Sequence, residues 1–183
     1  CVGREEDWPE AGDHAVLELF GESILLVRNR DAELRAFYNV CRHRGAQLCT
    51  AMNDEHSNAL KHGGVVNGRL IRCPYHAWTY DLDGKLVHAP FMEGQQSFDP
   101  DSIALHPVAV ATWGGFVFLN LTPESAEDFD NTIDGPAKRL ARYPLAALRT
   151  GRSIDYSVKS NWKVLGENYN ECYHCGPVHP ELS

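Results

Sequence analysis

The sequence predicts a small β-domain over roughly its first 122 residues, followed by a linker, a helix and the start of a second domain. Two observations carry this reading. Short runs of branched, apolar and aromatic residues, punctuated by turn dipeptides such as Asn67-Gly68 and Asp83-Gly84, fill the first part of the chain. After Pro123 the composition turns acidic and then helical. With 183 residues and 43% hydrophobic content, the chain can bury a core.

The elements follow in order. Residues 16 to 40 read as paired strands broken at the turn-forming "NRDAE", and they end at Cys41. "VVNGRLIR", 65 to 72, reads as a hairpin about Asn67-Gly68 and ends at Cys73. "WTYDLDGKLVHAP" supplies a further turn at Asp83-Gly84, and "GGFVFLNL", 114 to 121, alternates as a half-buried strand does. In "PESAEDFDNTIDGPAKRLARYPLAALRT", Pro136 is placed to open a helix. "SIDYSVKS" reads as a strand and "NWKVLGENYNECYHC" as a helix stopped by Gly176-Pro177.

Composition excludes several function classes. A net charge of -8 with a pI near 5.5 argues against nucleic acid or an anionic membrane as the main partner, since both demand a basic face. No apolar run approaches the roughly 18 residues that span a bilayer, and no basic-plus-apolar signal opens the sequence. A soluble, cytoplasmic protein is the expectation. The six cysteines are few for a disulfide scaffold of this length and several neighbour histidines, which points to metal binding. The start at Cys1 and the stop at Ser183 read as the bounds of a fragment.

The first constellation is Cys41-x-His43 with Cys73-x-x-His76, one pair at the end of each predicted hairpin. Thiolates suit zinc or iron-sulfur clusters and imidazoles suit zinc or iron, so the inventory alone leaves both open. The tight Cys-x-His pair and the mixing of one thiolate with one imidazole in each pair favour a two-iron cluster that both hairpins clasp.

With its flanks, "CRHRG" followed by "CPYHAWTYDLDGKL" resembles the Rieske motif of the Rieske non-haem iron oxygenases. The resemblance implies an antiparallel β-sandwich with two cluster-binding hairpin loops, followed by the start of an α+β catalytic domain. It implies Cys41 and Cys73 on one iron of a [2Fe-2S] cluster, with His43 and His76 on the other. The gap of 29 residues between His43 and Cys73 exceeds the family's usual spacing; the excess lies in residues 49 to 64, read as an inserted polar loop in which His56 and His62 are solvated. Cys49 has no cysteine after Cys73 to pair with in the second loop, so the loop-to-loop disulfide of respiratory Rieske proteins is not expected. Tyr75, Trp78 and Tyr80 are expected to pack and shield the loops, and Arg42 and Arg44 to meet a negative cluster, a partner carboxylate or solvent.

The second constellation is "NECYHCGPVHPEL". Glu171 and His174 are three apart, expected on one helix face, and His179 follows the break. Two imidazoles and a carboxylate with open positions form the triad of non-haem Fe(II) oxygenases. The stretch from Asn161 to Leu182 resembles that family's catalytic-iron segment, which implies His174 and His179 as iron ligands and a third, carboxylate ligand further downstream. Glu181 is a poor candidate, since a proline alone separates it from His179. The resemblance also casts Glu171 as the acidic bridge from His174 to His76 of a neighbouring subunit in a trimer. Aspartate is common at this position, and glutamate resembles members acting on quaternary ammonium compounds. A di-iron site would need a second Glu-x-x-His, which the sequence lacks. A Cys172-x-x-Cys175 dithiol would lie inside the predicted helix, where no thiolate is stabilised. His14, His88 and His106 have no partner pattern and read as structural.

The resemblance assigns residues 1–122 to a Rieske domain, 123–152 to linker and helix, and 153–183 to the start of a mononuclear-iron catalytic domain. It implies the terminal oxygenase component, with O2 as co-substrate and NAD(P)H acting through a separate flavin reductase, with or without a ferredoxin. The expected reaction is hydroxylation of an aromatic compound, or hydroxylation or demethylation of a quaternary ammonium compound. The competing reading is a Rieske ferredoxin without oxygenase activity, and a structural zinc protein is a more distant one.

Overall fold

The computed structural model describes residues 1–50, 64–66, 69–125, 128–152, 154, 156–171 and 173–179. Asn67-Gly68, His56, His62, Cys172 and Glu181 lie outside the described residues. The chain divides into two compact units, Cys1–Leu148 and Arg149–Ser183, each described by itself.

The first unit holds β1 (Gly3–Arg4), β2 (His14–Leu19), β3 (Glu22–Arg28), β4 (Leu34–Tyr38), β5 (Gly64–Val66), β6 (Leu70–Arg72), β7 (Thr79–Asp81), β8 (Leu86–His88), β9 (Pro107–Trp113) and β10 (Phe116–Asn120). They form two antiparallel sheets, a six-stranded one in the order β1-β10-β9-β4-β3-β2 and a four-stranded one in the order β5-β6-β7-β8. The larger sheet curls into a half-barrel.

Strand β3 explains how the layers hold together. Ile24, Leu25, Leu26 and Val27 are each fully buried, so successive side chains, pointing to opposite faces, find apolar cover on both. Ile24 and Leu26 pack with Trp8, Ala36, Val108 and Val117 inside the half-barrel. Leu25 and Val27 pack with Phe37, Leu48, Ile71 and Tyr80, the layer between the sheets. Buried Asn29 reinforces this layer: its amide donates to Asp83 Oδ1 at 2.9 Å, linking the β3–β4 turn to the β7–β8 turn. That bond and the Arg35 guanidinium at 3.1 Å hold the Asp83 carboxyl below its ordinary range.

The stretch from 16 to 40 differs from its sequence reading in having a second turn. Phe20 and Gly21 take φ of 54° and 87° between β2 and β3, so three strands stand where two were expected. Phenylalanine in the first turn position masks a signal that Asn-Gly would have given. The helix after Pro123 also differs. Helix α1 runs Phe129–Leu140 and is capped by Asp128, whose side chain accepts from Asp130 N–H, so Pro136 falls inside it rather than at its start. The cap residue outcompeted the proline as the start signal.

In the second unit, α2 (Trp162–Asn170) is capped by Asn161, and a short α3 spans Cys175–Val178. The helix predicted through Cys175 ends at Asn170, and Gly176-Pro177 sits inside α3 instead of stopping a helix. The cause is Glu171. Its backbone is extended (φ -117°, ψ 143°), and its carboxylate accepts from Tyr173 N–H at 2.6 Å, a local bond that replaces helical continuation. The strand expected at 153 to 160 is not formed among the described residues: Ile154, Tyr156 and Val158 are exposed and no neighbouring strand of this unit takes up the alternation. No helix among the described residues is long and apolar enough to cross a membrane.

Gly84 is where backbone freedom is required. Its φ is +84°, and an added Cβ would lie 2.5 Å from the Phe37 ring. Gly84→Ala is expected to lose about 2–4 kcal/mol of stability, combining the left-handed backbone cost with overpacking, as chemical denaturation would measure.

Candidate metal centres

The two loops that carry Cys41 and Cys73 follow the same backbone path. Cys41 N–H donates to Ala46 O at 2.8 Å and Gly45 N–H to Cys41 O at 3.0 Å; Cys73 N–H donates to Trp78 O at 2.8 Å and Ala77 N–H to Cys73 O at 3.1 Å. The fifth residue of each turn is left-handed, Gly45 at 72° and Ala77 at 58°. Each cysteine N–H is thus satisfied within its own loop and each thiol is turned inward. The first loop is also pinned by Asn39, 3% exposed, whose side chain accepts from Cys49 N–H at 2.9 Å and donates to Cys49 O at 2.7 Å.

The structure brings the four predicted donors together as two pairs. Cys41 and Cys73 are 3% and 2% exposed and close enough for each thiol to shift the other's ionisation, whereas His43 and His76 face solvent with ring centroids 4.8 Å apart. Among the described residues no three His, Cys, Asp or Glu side chains converge to hold a single ion. The donors fall into a thiol pair and an imidazole pair, which suits two metal atoms better than one zinc. Cys41 and Cys73 are thiols rather than partners in a disulfide.

Electrostatics point the same way. The hydrogen bond from the Cys73 thiol, then that of Tyr80, draws the Cys41 thiol down to about 5 against the opposing effect of burial. The same thiol-thiol bond and burial push Cys73 far up. One buried thiolate is tolerated and a second is not, because like charges in a dry site repel. Both become thiolates only with positive charge between them, which iron supplies. The donor set fits a [2Fe-2S] cluster.

Four surrounding residues make specific contacts at the site. Tyr80, fully buried, accepts from Arg42 N–H at 3.1 Å, leaving its hydroxyl proton for Cys41 Sγ at 3.2 Å. Burial, then that thiol, pushes the Tyr80 pKa up, so the phenol stays a donor. Trp78 stacks on His43 at 4.7 Å and 9°, fixing that ring, while Tyr75 lies against His76 at 3.8 Å. His106, read from sequence as having no partner, meets the Arg42 guanidinium at 3.0 Å. The β7 alternation that buries Tyr80 beside Cys41 could have signalled its role; the contacts of Asn39 and His106 required the fold.

In the second unit His174 and His179 have ring centroids 5.6 Å apart. Glu171 meets His174 across a turn, not along one helix face: Glu171 follows α2 and His174 precedes α3. His174 Nδ1–H donates to Glu171 Oε1 at 2.6 Å, which sets the tautomer and leaves Nε2 as the lone-pair nitrogen. The imidazole, then Tyr173 N–H, holds the Glu171 carboxyl below its ordinary value. Two neighbouring imidazoles, one of them oriented by a carboxylate, fit a partial iron site.

Comparison with known proteins agrees with this geometry. Residues 1–99 match the family described as "Rieske [2Fe-2S] domain", and residues 145–183 match "Ring hydroxylating alpha subunit (catalytic domain)". The chain is 41% identical over 184 residues to the carnitine monooxygenase oxygenase subunit of Escherichia coli (strain K12), covering 100% of this chain and 46% of that protein. It is 38% identical to the glycine betaine monooxygenase oxygenase subunit of Chromohalobacter salexigens, covering 99% of this chain and 38% of that protein. The solved structure of the quaternary ammonium Rieske monooxygenase CntA in complex with substrate L-carnitine superposes with a TM-score of 0.81 at 36% identity, covering 100% of this chain and 49% of that one. The chain therefore spans about half the length, or less, of the relatives it matches.

Tyr80→Phe removes one hydrogen bond to the Cys41 sulfur without emptying the core. A reconstituted cluster is expected to persist with its midpoint potential lowered by roughly 20–65 mV, the equivalent of one such bond for a one-electron couple, as a redox titration would measure.

Proposed function

Because the chain belongs to the Rieske [2Fe-2S] domain family and runs on into a match with the ring-hydroxylating alpha subunit catalytic domain, we propose that it forms the electron-receiving part of a terminal oxygenase acting on a quaternary ammonium compound. The observation that carries the oxygenase reading is the pairing of donors, buried Cys41 with Cys73 and exposed His43 with His76, in a chain that also places His174 beside His179. A pure electron carrier has no use for the second pair. The ammonium class rests on the carnitine and glycine betaine relatives and on Glu171, rather than aspartate, beside His174.

In this reading, residues 1–122 are the cluster domain, 123–152 the linker and helix, and 153–183 the start of the iron domain. Cys41 and Cys73 hold one cluster iron, His43 and His76 the other, and His174 Nε2 and His179 hold a mononuclear Fe(II). The bound groups supply single-electron relay, at potentials of roughly -150 to +300 mV, and O2 activation. The protein supplies orientation. Tyr80 and the loop N–H groups fix the sulfurs, Trp78 fixes the His43 ring, and Glu171 fixes His174. Glu171 Oε1 accepts the hydrogen bond from His174 Nδ1–H within the chain, and we assign the same carboxylate the link to His76 of a neighbouring copy in a homotrimer. A flavin reductase using NAD(P)H, with or without a ferredoxin, is the expected source of electrons, and the cytoplasm the expected compartment.

The deciding experiment takes the intact parent subunit, chemically reduced and loaded with Fe(II), and exposes it to O2 with carnitine, glycine betaine or an aromatic acid. Mass spectrometry of one turnover is expected to show hydroxylation or demethylation of an ammonium compound. Oxygen appearing only in the aromatic acid would reassign the substrate class, and no product from any of them would favour the electron carrier. Cys73→Ser is expected to lose the visible cluster absorbance and most of the cluster iron. Glu171→Gln is expected to retain both metals while product formation falls about 10- to 100-fold, the usual loss when a ligand's supporting carboxylate is neutralised.

A further inference from the structure

Beside the cluster loops lies a surface that the mechanism leaves unused. On the outer side of the four-stranded sheet a groove of about 440 Å³ is lined by Leu70, Ala77, Val87 and Pro90, with Arg72 and His88 among them. Arg72 is exposed, and its guanidinium makes no hydrogen bond or ion pair among the described residues. Asp81 is the register partner of Leu70, but its Oδ1 is engaged by the N–H groups of Asp83 and Lys85 at 3.0 and 2.8 Å. The residue following Pro90 is Phe91, 94% exposed and held at φ 63°. An aromatic side chain in a left-handed backbone and almost wholly in water is costly twice over. Such costs persist where a surface is used.

The position of the groove identifies the use. Ala77, part of its lining, joins His76 to Trp78, and the Trp78 ring stacks on His43. The groove therefore abuts the chain one residue from each contact to the exposed imidazoles. Its unpaired charge is positive, in a chain of net charge -8. We propose that this groove is the docking surface for an acidic iron-sulfur protein or domain that delivers electrons to the cluster, with Phe91 inserting into the partner and Arg72 meeting its carboxylates. The transfer moves one electron from the donor's reduced iron-sulfur group to the cluster and makes or breaks no bond. The proposal rests on the Rieske reading above and adds where the donor sits, leaving the His76 tip for the neighbouring copy.

The test uses the 183-residue chain, with and without reconstituted iron and sulfide, and a reduced plant-type [2Fe-2S] ferredoxin as the acidic donor. Phe91→Asn keeps a residue that tolerates the left-handed backbone, and Arg72→Glu reverses the charge; both positions are exposed. Calorimetric binding to the metal-free chain is expected to weaken about tenfold in each variant and to fall with salt in the parent. In the reconstituted chain, stopped-flow reduction by ferredoxin is expected to slow about tenfold while reduction by dithionite is unchanged. Unaltered ferredoxin affinity in both variants, or no binding to the parent chain, would overturn the docking surface. So would variants that alter self-association by light scattering but not ferredoxin binding, since the groove would then belong to a second copy. A reconstituted chain without cluster absorbance would sink the Rieske reading instead, and the metal-free binding arm would still decide the docking.

Discussion

Two thiols that cannot both ionise, buried against each other, are the constraint on which the first unit depends. Cys41 and Cys73 lie in loops that follow strands of different sheets and are brought together because the layer between those sheets is filled. The Asn29–Asp83 bond fastens the turns at one end of that layer, and Tyr80 fills it beside the sulfurs. Without cations this arrangement is electrostatically frustrated, since the hydrogen bond that draws Cys41 down pushes Cys73 up. Metal binding relieves the frustration, so the folded protein is preorganised for a cofactor that the unfolded chain does not assemble.

Much of this was legible in the sequence because the determinants are local. The two Cys/His pairs stand beside β-hairpins whose apolar runs are short-range features, and in the structure Cys41 and Cys73 are buried while the His43 and His76 rings stand 4.8 Å apart. What was not legible depends on competition between signals. Asp128 outcompetes Pro136 as the start of α1. A Phe in the β2–β3 turn hides a two-residue connection. Glu171 ends α2 by giving its carboxylate to Tyr173 N–H and the His174 ring, whereas helical spacing alone had placed Glu171 and His174 on one face. Asn39 and His106 act through partners 10 and 64 residues away, distances over which no periodicity carries information.

The second unit inverts the logic of the first. Its only buried apolar residue among those described is Cys175, and Ile154, Tyr156, Trp162 and Tyr169 are exposed. The pair His174 and His179 is organised by one turn and one carboxylate rather than by a core. A short local device of this kind can hold a ring in the right tautomer with little surrounding structure, which is why the Glu171–His174 contact forms although α2 has already ended.

The polarity of the cluster site has a further consequence. Buried sulfurs and exposed imidazoles mean that one side of the site is insulated by Tyr80 and Trp78 while the other meets water. With a cluster held as proposed, an electron entering or leaving through a ligand would do so most directly through His43 or His76. The two rings are not equivalent. His43 is locked flat against a buried tryptophan, whereas His76 is covered by a tyrosine 64% exposed. A ring fixed from within suits a permanent route to the groove by Ala77 and Pro90, and a ring covered only by a solvent-facing side chain suits contact with a second molecule. The difference of one residue in histidine spacing, Cys41-x-His43 against Cys73-x-x-His76, acts on two loops of otherwise matching backbone. It gives a nearly symmetric pair of loops two different faces, as the proposed one-electron relay would require.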